Sequence, residues 1–211
     1  MKQNTHDRTG GDVDVVRASP QDVDTAADVL ARAFSVDPHV VGLLPRGDVL
    51  RPLTRLWRRI LRETLAAGGH AYLARRRGAR EVLGVALWEG PGEKVSLRQM
   101  VPGLLSYLSV FRQRFPDALV TERLAHEAHP DAPHWYLKAV GTVPEVRGEG
   151  VGTVLLNDRL REVDGEHVET YLEASTQDLV PYYARFGFVS RGPVPCRGTV
   201  PAIGMVRPAV A

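Results

Sequence analysis

Cysteine and long apolar runs are the features that this sequence has least of. Its 211 residues include one cysteine, Cys196, which excludes an internal disulfide bond and is compatible with the reducing cytoplasm. The polar N-terminus lacks the apolar core of a signal peptide, and no apolar run approaches the roughly 20 residues that a helix needs to cross a bilayer. These absences predict a cytoplasmic protein that does not associate with a membrane.

A strong net charge is missing as well. The chain has 27 lysines and arginines against 25 aspartates and glutamates, intermixed along its length, which leaves a formal net charge of +2. Such a balance gives little reason to expect a nucleic-acid partner. What the chain does contain is 44% hydrophobic residues, enough for a sizeable core. We therefore predict a flexible N-terminus over residues 1–12 and a single domain over residues 13–211.

The spacing of apolar residues predicts strands and helices in alternation along the chain. Ser19 and Pro20 are typical of a helix start, as an N-cap followed by a proline in the first turn. The segment 35–47 is predicted to be a long, partly apolar loop that packs down on the core or lines a pocket. The element order β-α-α-β-β-α-α-β-α-β-α-β-β predicts a mixed α/β sheet. Its predicted strands cover residues 13–17, 71–75, 82–88, 134–143, 168–174, 188–191 and 203–206.

Three glycines at alternating positions, Gly148, Gly150 and Gly152, separate the predicted strand 134–143 from an amphipathic helical pattern. Glycine lets the backbone approach a ligand closely, and successive N–H groups at the start of a helix attract anions. The segment therefore predicts a cradle for phosphate. A P-loop would need a Gly-Lys-Ser/Thr sequence that is absent, and a dinucleotide fingerprint would need a third glycine where Thr153 stands. An ordinary turn between a strand and a helix is the alternative.

The spacing Arg147-x-x-Gly150-x-Gly152, preceded by Val143-Pro144, resembles the pyrophosphate loop of the GNAT superfamily of N-acetyltransferases. That resemblance implies acetyl-coenzyme A (acetyl-CoA) as the co-substrate. It further implies that the backbone groups of Gly141, Thr142 and Val143 pair with the pantetheine arm. The residues that would wrap the pyrophosphate are Arg147, Gly148, Glu149, Gly150, Val151, Gly152 and Thr153.

A second motif lies further along the chain. In it a tyrosine precedes Gly-Phe by four residues, as in the GNAT signature: Tyr183-Ala184-Arg185-Phe186-Gly187-Phe188. With both motifs, the resemblance is firm over residues 135–189. It implies an α/β fold of the GNAT type, in which helices flank a mixed and mostly antiparallel central sheet. The stretch 134–137, His-Trp-Tyr-Leu, is most similar to the antibiotic-acetylating branch that includes puromycin N-acetyltransferase.

The implied reaction moves an acetyl group directly from acetyl-CoA to a primary amine within one ternary complex. By resemblance, Tyr183 gives a proton to the leaving thiolate; a phenol of pKa about 10 can do so because it stays protonated at pH 7. The amine must lose a proton, and Glu173 is our candidate base, directly or through water, with His134 second. The alternatives are that Tyr183 is an ordinary core tyrosine and that Glu173 is only a structural acceptor.

The segment His126-Glu127-Ala128-His129 has two histidines at a spacing of three. A zinc-binding helix needs them four apart, and Pro130 follows at once, so no metal site is predicted. Cys196 lies among prolines without a partner signature and is not predicted to be a catalytic thiol.

The acceptor is predicted to be the amine of a small molecule. Two alternatives stay open: a protein N-terminus or lysine side chain as acceptor, and a non-catalytic module that only binds acyl-CoA. A deep pocket walled by segment 35–47 and a predicted helix over 97–108 would favour a small acceptor, whereas an open acidic groove would favour a protein. The sequence does not determine the oligomeric state, and a homodimer is one of the states that it allows.

Overall fold

A seven-stranded sheet organises the computed structural model, which describes residues 12–92 and 103–210. The strands are β1 (Val13–Arg17), β2 (His70–Arg76), β3 (Val82–Glu89), β4 (His134–Thr142), β5 (Glu169–Ala174), β6 (Val189–Pro193) and β7 (Ile203–Arg207). Their spatial order is β1-β2-β3-β4-β5-β7-β6, and every neighbouring pair is antiparallel except β4 with β5. The predicted α/β fold with a mixed, mostly antiparallel sheet is confirmed.

Helices cover both faces of this sheet. In the described chain they are α1 (Val23–Phe34), α2 (Pro38–Gly42), α3 (Leu50–Ala66), α4 (Leu104–Phe111), α5 (Phe115–Glu127), α6 (Val151–Asp164) and α7 (Val180–Ala184). A Cβ atom added at Gly84 on β3 would lie 3.0 Å from Leu155 on α6, and one added at Gly141 on β4 would lie 2.7 Å from Ala33 on α1. Gly84 pairs with Thr142, and successive strand residues point to opposite faces. Helices α6 and α1 therefore pack on opposite faces.

The buried core lies between the sheet and these two layers of helices. Leu30 of α1 and Leu53 and Leu61 of α3 are buried on one side, and Leu155 and Leu156 of α6 on the other. Each belongs to the apolar stripe that a helix presents to a sheet. Burial of a leucine side chain contributes about 1.5–3 kcal/mol to folding, so these layers hold the central strands firmly. No helix in the described part of the chain is both long and apolar enough to span a membrane.

The two parallel strands at the centre of the sheet separate towards their C-terminal ends. β4 and β5 stay paired as far as Leu137 and Leu172, which lie opposite each other. Beyond that pair, β4 continues to Thr142 and β5 continues to Ala174 without further pairing between them. The strands therefore form a fork that opens at this end of the sheet.

A β-bulge in β4 accounts for the fork. Leu87 of β3 pairs with Ala139, but its neighbour Trp88 pairs with Leu137, so that Lys138 is an extra residue in β4. An extra residue in one strand bends that strand and increases its local twist. Because the bulge coincides with the last residue paired to β5, it turns the end of β4 away from its parallel neighbour.

The segment 35–47, predicted as a loop, contains the short helix α2. Its start is marked by Asp37, whose carboxylate accepts a hydrogen bond from the Val40 N–H at 3.0 Å. Leu43 and Leu44 are buried, so the prediction that this segment packs down is confirmed. The description as a loop is wrong, because an N-cap aspartate followed by a proline is itself a helix signal.

Three other predictions differ from the structure or fall outside it. Ser19 begins a 3-10 turn, Pro20–Asp22, and the α-helix follows only at Val23. Of the helix predicted over 97–108, residues 97–102 lie outside the described residues, and α4 begins at Leu104. Residues 1–11 of the predicted flexible N-terminus also lie outside them.

Candidate active site

The glycine segment after β4 is built around two left-handed residues. Gly148 and Gly150 have φ angles of 81° and 87°, a region that side chains with a Cβ rarely adopt. A Cβ atom added at either glycine would meet nothing within 4 Å. The glycines are therefore required by the backbone path, and the space beside them is open to a ligand.

A row of backbone donors without protein acceptors borders that space. Among the residues that the structure describes, the N–H groups of Gly148, Gly150, Val151, Gly152 and Thr153 make no hydrogen bond to the protein. The last four belong to the N-terminus of α6, where the helix dipole adds a partial positive charge. This arrangement suits a diphosphate, which accepts several hydrogen bonds and carries negative charge.

Two of the residues predicted to wrap the pyrophosphate have their N–H groups engaged inside the turn. The Arg147 N–H donates to Pro144 O at 3.3 Å, and the Glu149 N–H donates to Val146 O at 3.2 Å. The Arg147 guanidinium donates to Ala33 O at the end of α1, at 3.0 Å, and fixes the loop against that helix. Only the remaining guanidinium nitrogens of this exposed side chain are left for a phosphate.

At the fork, the free edge of β4 has backbone N–H and C=O groups available for pairing at every second residue. The Val143 N–H donates to Leu83 O at 2.9 Å, so the backbone groups of Val143 face β3. Because backbone groups alternate along a strand, those of Gly141 also face β3 and those of Thr142 face the fork. Of the three residues predicted to contact pantetheine, the geometry favours Thr142. Packing explains the glycine at position 141, because α1 leaves no room there for a side chain.

Tyr183 of α7 is buried, with 8% of its surface exposed. Its ring lies 5.2 Å from that of Tyr182 and 6.1 Å from that of Phe188, both measured between centroids. Burial raises the pKa of the Tyr183 hydroxyl well above its ordinary value, and the nearby Tyr182 and Asp37 raise it further. The hydroxyl therefore keeps its proton throughout the neutral range and can act only as an acid or a hydrogen-bond donor there.

Tyr182 stands against the glycine segment. A Cβ atom added at Gly152 would lie 3.1 Å from the Tyr182 hydroxyl oxygen. Burial raises the pKa of that hydroxyl, and interactions with Thr153 and Arg185 partly oppose the shift. The two neighbouring tyrosines thus differ in their surroundings: Tyr182 borders the start of α6, while Tyr183 is a buried member of the core cluster.

Glu173 is the first residue of β5 beyond the last pair with β4. Its Oε2 accepts a hydrogen bond from the Tyr136 hydroxyl at 2.7 Å, whereas its Oε1 is buried and has no hydrogen-bond partner among the described residues. The closest basic atom is His129 Nε2, 3.6 Å from Oε1. Burial, together with the Glu173 carboxylate, raises the pKa of Tyr136 far above its ordinary value, so this phenol stays a donor.

His129 and His134 form a pair beside this carboxylate. His129 Nδ1 lies 3.1 Å from His134 Nε2, and His134 Nδ1 lies 2.8 Å from Ala132 O. The His129 ring also packs against Tyr136 and Tyr171, at centroid distances of 4.5 and 4.6 Å. The structure therefore brings the two predicted candidates for the base, Glu173 and His134, to the two ends of one chain, with His129 between them.

Lys138, the bulge residue, is held in its charged form. Burial alone would lower the pKa of its ammonium group, but the Glu89 and Glu122 carboxylates outweigh burial and raise it. Lys138 Nζ lies 2.6 Å from Glu89 Oε1. A lysine that keeps its proton cannot accept one from a substrate, so Lys138 is not a candidate base.

The β6–β7 loop, residues 194–202, encloses the fork end of the sheet, because β7 begins opposite Ala174 at the end of β5. It is bound to α2 by three hydrogen bonds. The Thr199 hydroxyl lies 2.5 Å from His39 O and 3.2 Å from Pro38 O, and His39 Nδ1 donates to Val200 O at 2.6 Å. Segment 35–47 and this loop therefore form one continuous wall.

Helix α5 completes the wall. Arg114, just before α5, donates to Gly42 O at 2.7 Å and to Gly198 O at 2.5 Å, which joins α2 to the β6–β7 loop. Asp117 on α5 pairs with Arg197 of the loop at 2.9 Å. A cleft of about 400 Å³ opens next to this wall at the end of β5, and its lining includes Ser175, Thr176 and Val200.

Three side chains beside Glu173, those of Tyr136, Tyr171 and His129, were not among the predicted candidates. Tyr136 and Tyr171 could have been found, because each stands two residues from a predicted candidate on the same strand and therefore on the same face. His129 could not, since it reaches Glu173 only through the tertiary packing of α5. In the described ranges no group of His, Cys, Asp and Glu side chains is arranged to hold a metal ion.

Comparison with known proteins places these features in a family. Residues 125–207 match the family described as acetyltransferase (GNAT) domain. A solved structure described as histone acetyltransferase HPA2 and related acetyltransferase, from Corynebacterium glutamicum, is similar at 29% sequence identity and a TM-score of 0.74. The match covers 95% of this chain and 98% of that one.

Two more distant structures share the fold. The PaiA N-acetyltransferase of Thermoplasma acidophilum, in complex with coenzyme A, matches at 11% identity and a TM-score of 0.58, over 93% of this chain and 98% of that one. Arylalkylamine N-acetyltransferase 2 of Aedes aegypti matches at 14% identity and a TM-score of 0.59, over 94% and 99%. The similarity to the puromycin N-acetyltransferase branch stays a prediction. Residues 125–207 thus match a GNAT acetyltransferase domain, and nearly the whole chain has the fold of these acetyltransferase structures.

Proposed function

We propose that this protein transfers an acetyl group from acetyl-CoA to the primary amine of a small molecule, with both substrates bound at once. The observation that carries the proposal is the row of N–H groups without protein acceptors, beside the fork between β4 and β5, at Gly148, Gly150, Val151, Gly152 and Thr153. A diphosphate bound by that row and a pantetheine arm along the free edge of β4 would bring a thioester to the fork.

The residues present fit acetyl-CoA. The left-handed glycines Gly148 and Gly150 leave open space where a side chain would stand, so a diphosphate can reach the backbone. Thr142 has its N–H and C=O directed to the fork, where the amides of a pantetheine arm can pair with them as a further strand would. Arg147 adds a positive charge near the phosphates.

The transfer removes two protons from the acceptor nitrogen and supplies one to the leaving sulfur. The acceptor ammonium gives a proton to Glu173, and the free amine attacks the thioester carbon, so that a C–N bond forms. As the C–S bond breaks, the leaving thiolate takes a proton from Tyr183, which stays protonated at neutral pH, and the second proton of the attacking nitrogen returns to the Tyr183 oxygen. Backbone N–H groups at the fork would stabilise the oxyanion that develops during the attack.

The enclosure of the fork supports a small acceptor. Helix α2, helix α5 and the β6–β7 loop are joined by hydrogen bonds into a wall at this end of the sheet. The adjoining cleft of about 400 Å³ is lined by residues that follow β5 and by residues of β6, β7 and the loop between them, and its lining includes no proposed catalytic residue. The alternative acceptor is a protein amine, which is favoured by the similarity to the Corynebacterium glutamicum structure described as histone acetyltransferase HPA2 and related acetyltransferase.

A thiol-release assay with acetyl-CoA and a panel of amines tests the proposal. The panel contains aminonucleosides, polyamines, arylalkylamines and lysine- or N-terminal peptides. We expect release of coenzyme A with at least one of the small amines and little with the peptides. Faster release with peptides would favour the protein acceptor. Tight acetyl-CoA binding by calorimetry without release for any amine would favour a module that only binds acyl-CoA.

A further inference from the structure

We propose that Glu173, His129 and His134 form a proton relay that carries the acceptor's proton from the fork to solvent. The proposal rests on the proposed acetyl transfer and adds the route by which its proton leaves. Its basis is a chain of three contacts: Glu173 Oε1 to His129 Nε2 at 3.6 Å, His129 Nδ1 to His134 Nε2 at 3.1 Å, and His134 Nδ1 to Ala132 O at 2.8 Å.

The Ala132 carbonyl oxygen, at the outer end of this series of contacts, determines which ring nitrogen of each histidine carries a proton. Ala132 O can only accept a hydrogen bond, so His134 Nδ1 must carry a proton and donate it. In the neutral imidazole of His134, Nε2 is then the acceptor, and it is facing His129 Nδ1. His129 must therefore donate through Nδ1, which leaves its Nε2 with a free lone pair.

That lone pair faces an oxygen that also lacks a proton. Glu173 Oε1 is buried without a hydrogen-bond partner among the described residues, and Tyr136 already donates to the other oxygen, Oε2. Two acceptors facing each other across 3.6 Å form no hydrogen bond until a proton arrives. The inner end of the chain, between Glu173 and His129, can therefore receive one proton. The starting tautomers of the two histidines allow a proton to pass from His129 to His134.

The proton balance of the relay is complete. The acceptor ammonium loses a proton to Glu173, and Glu173 passes it to His129 Nε2. The Nδ1 proton of His129 moves to His134 Nε2 as this happens, and His134 becomes an imidazolium. His134 is partly exposed at the start of β4, so it returns the proton to bulk water. Glu173 then regains its starting state, and both histidines return to their starting tautomers by exchanging protons with water.

Ionisable side chains from several elements surround His129. It lies just past the end of α5, and the titratable groups around it come from three elements: His126 on α5, His134 and Tyr136 on β4, and Tyr171 and Glu173 on β5. Burial raises the pKa of Tyr136 and Tyr171, so these phenols stay neutral. Glu173 is the one carboxylate among these groups.

The test compares the variants His129→Gln and His134→Gln with His126→Gln, which changes the ring on α5 whose centroid lies 5.6 Å from that of His129. Glutamine is polar and similar in size but cannot carry a proton. We expect kcat/KM to fall roughly tenfold or more in the first two variants and its pH profile to change, while His126→Gln behaves as wild type. Acetyl-CoA affinity and melting temperature should stay unchanged in all three, which separates a relay from a structural role.

Rescue by a small base provides the second measurement. In His134→Ala, added imidazole should restore the rate in proportion to its neutral form, and it should have no effect on the wild-type enzyme. The relay is overturned if both glutamine variants keep wild-type kcat/KM and pH profiles. If the wild-type protein releases no thiol with any amine, the acetyl transfer itself is wrong, so the two failures are distinguishable.

Discussion

The donor side and the acceptor side of this site are built in opposite ways. The donor side is a continuous stretch of chain from Thr142 to Thr153, exposed in large part, and it presents backbone groups. The acceptor side gathers buried side chains from α5, β4 and β5, and its wall comes from α2 and the β6–β7 loop. The donor side is local in sequence, whereas the acceptor side forms only when segments distant in sequence fold together.

The contrast explains which features of a ligand each side can recognise. A cradle of N–H groups recognises a diphosphate whatever its side chains are, provided that the glycines allow the path. A site of side chains recognises its ligand through charge and shape, which single substitutions change. Donor affinity should therefore depend on a few backbone conformations, and catalysis and acceptor choice on individual side chains such as Glu173.

The largest effect is expected for Tyr183→Phe. Removal of the hydroxyl leaves the thiolate without its acid, and we expect kcat to fall by roughly 10²–10⁴-fold. Acetyl-CoA affinity, measured by calorimetry, should be little changed because the ring stays in place. Tyr182→Phe is the matched control: its hydroxyl borders the start of α6, so it should alter acetyl-CoA affinity more than kcat.

The pH dependence sharpens this prediction. Burial raises the pKa of Tyr183, so the group remains an acid above the ordinary phenol value of about 10. The wild-type kcat should show no alkaline decline from Tyr183 below that pH. A decline with a pKa near 9 that disappears in Tyr183→Phe would contradict the buried environment described here.

The second largest effect is expected for Glu173→Gln. The amide cannot take a proton from the acceptor, and we expect kcat to fall on the order of 100-fold with acetyl-CoA affinity unchanged. Glu169→Gln, at the other end of β5, is the control and should keep wild-type activity. Equal activity in both variants would make Glu173 a structural acceptor, as the alternative interpretation of the sequence holds.

The same contrast determines which structural features could be predicted from the sequence. The strands, most helices and the cradle follow from local patterns: alternation of apolar residues, and glycines where φ is positive, as at Gly148 and Gly150. Helix α2 was missed because its apolar content was given more weight than its Asp37 cap. His129 and the bulge at Lys138 depend on which elements pack together, and no local pattern records that.

A substitution with a moderate expected effect tests the cradle. Gly150→Ala places a Cβ where φ is 87°, which costs about 1–2 kcal/mol and turns the adjacent N–H groups. We expect the dissociation constant of acetyl-CoA to rise about tenfold. Gly78→Ala is the matched control, because Gly78 also has a positive φ, 71°, and open space around it, but lies in the turn between β2 and β3. Both variants should lose similar stability, and only the first should lose affinity.

The smallest effect is expected for Thr199→Val, which tests the wall on the acceptor side. The substitution keeps the shape of the side chain but removes the hydroxyl that binds His39 O and Pro38 O. Hydrogen bonds of this kind contribute about 0.5–1.5 kcal/mol, so the KM of the acceptor should rise about 2- to 10-fold. Acetyl-CoA affinity should not change, because the donor side shares no contact with this loop residue. An exposed threonine on α1, Thr25→Val, serves as the control. If Thr199→Val changed donor affinity and acceptor KM together, the two sides would be coupled through α2, and the separation between a backbone-built donor site and a side-chain-built acceptor site would have to be abandoned.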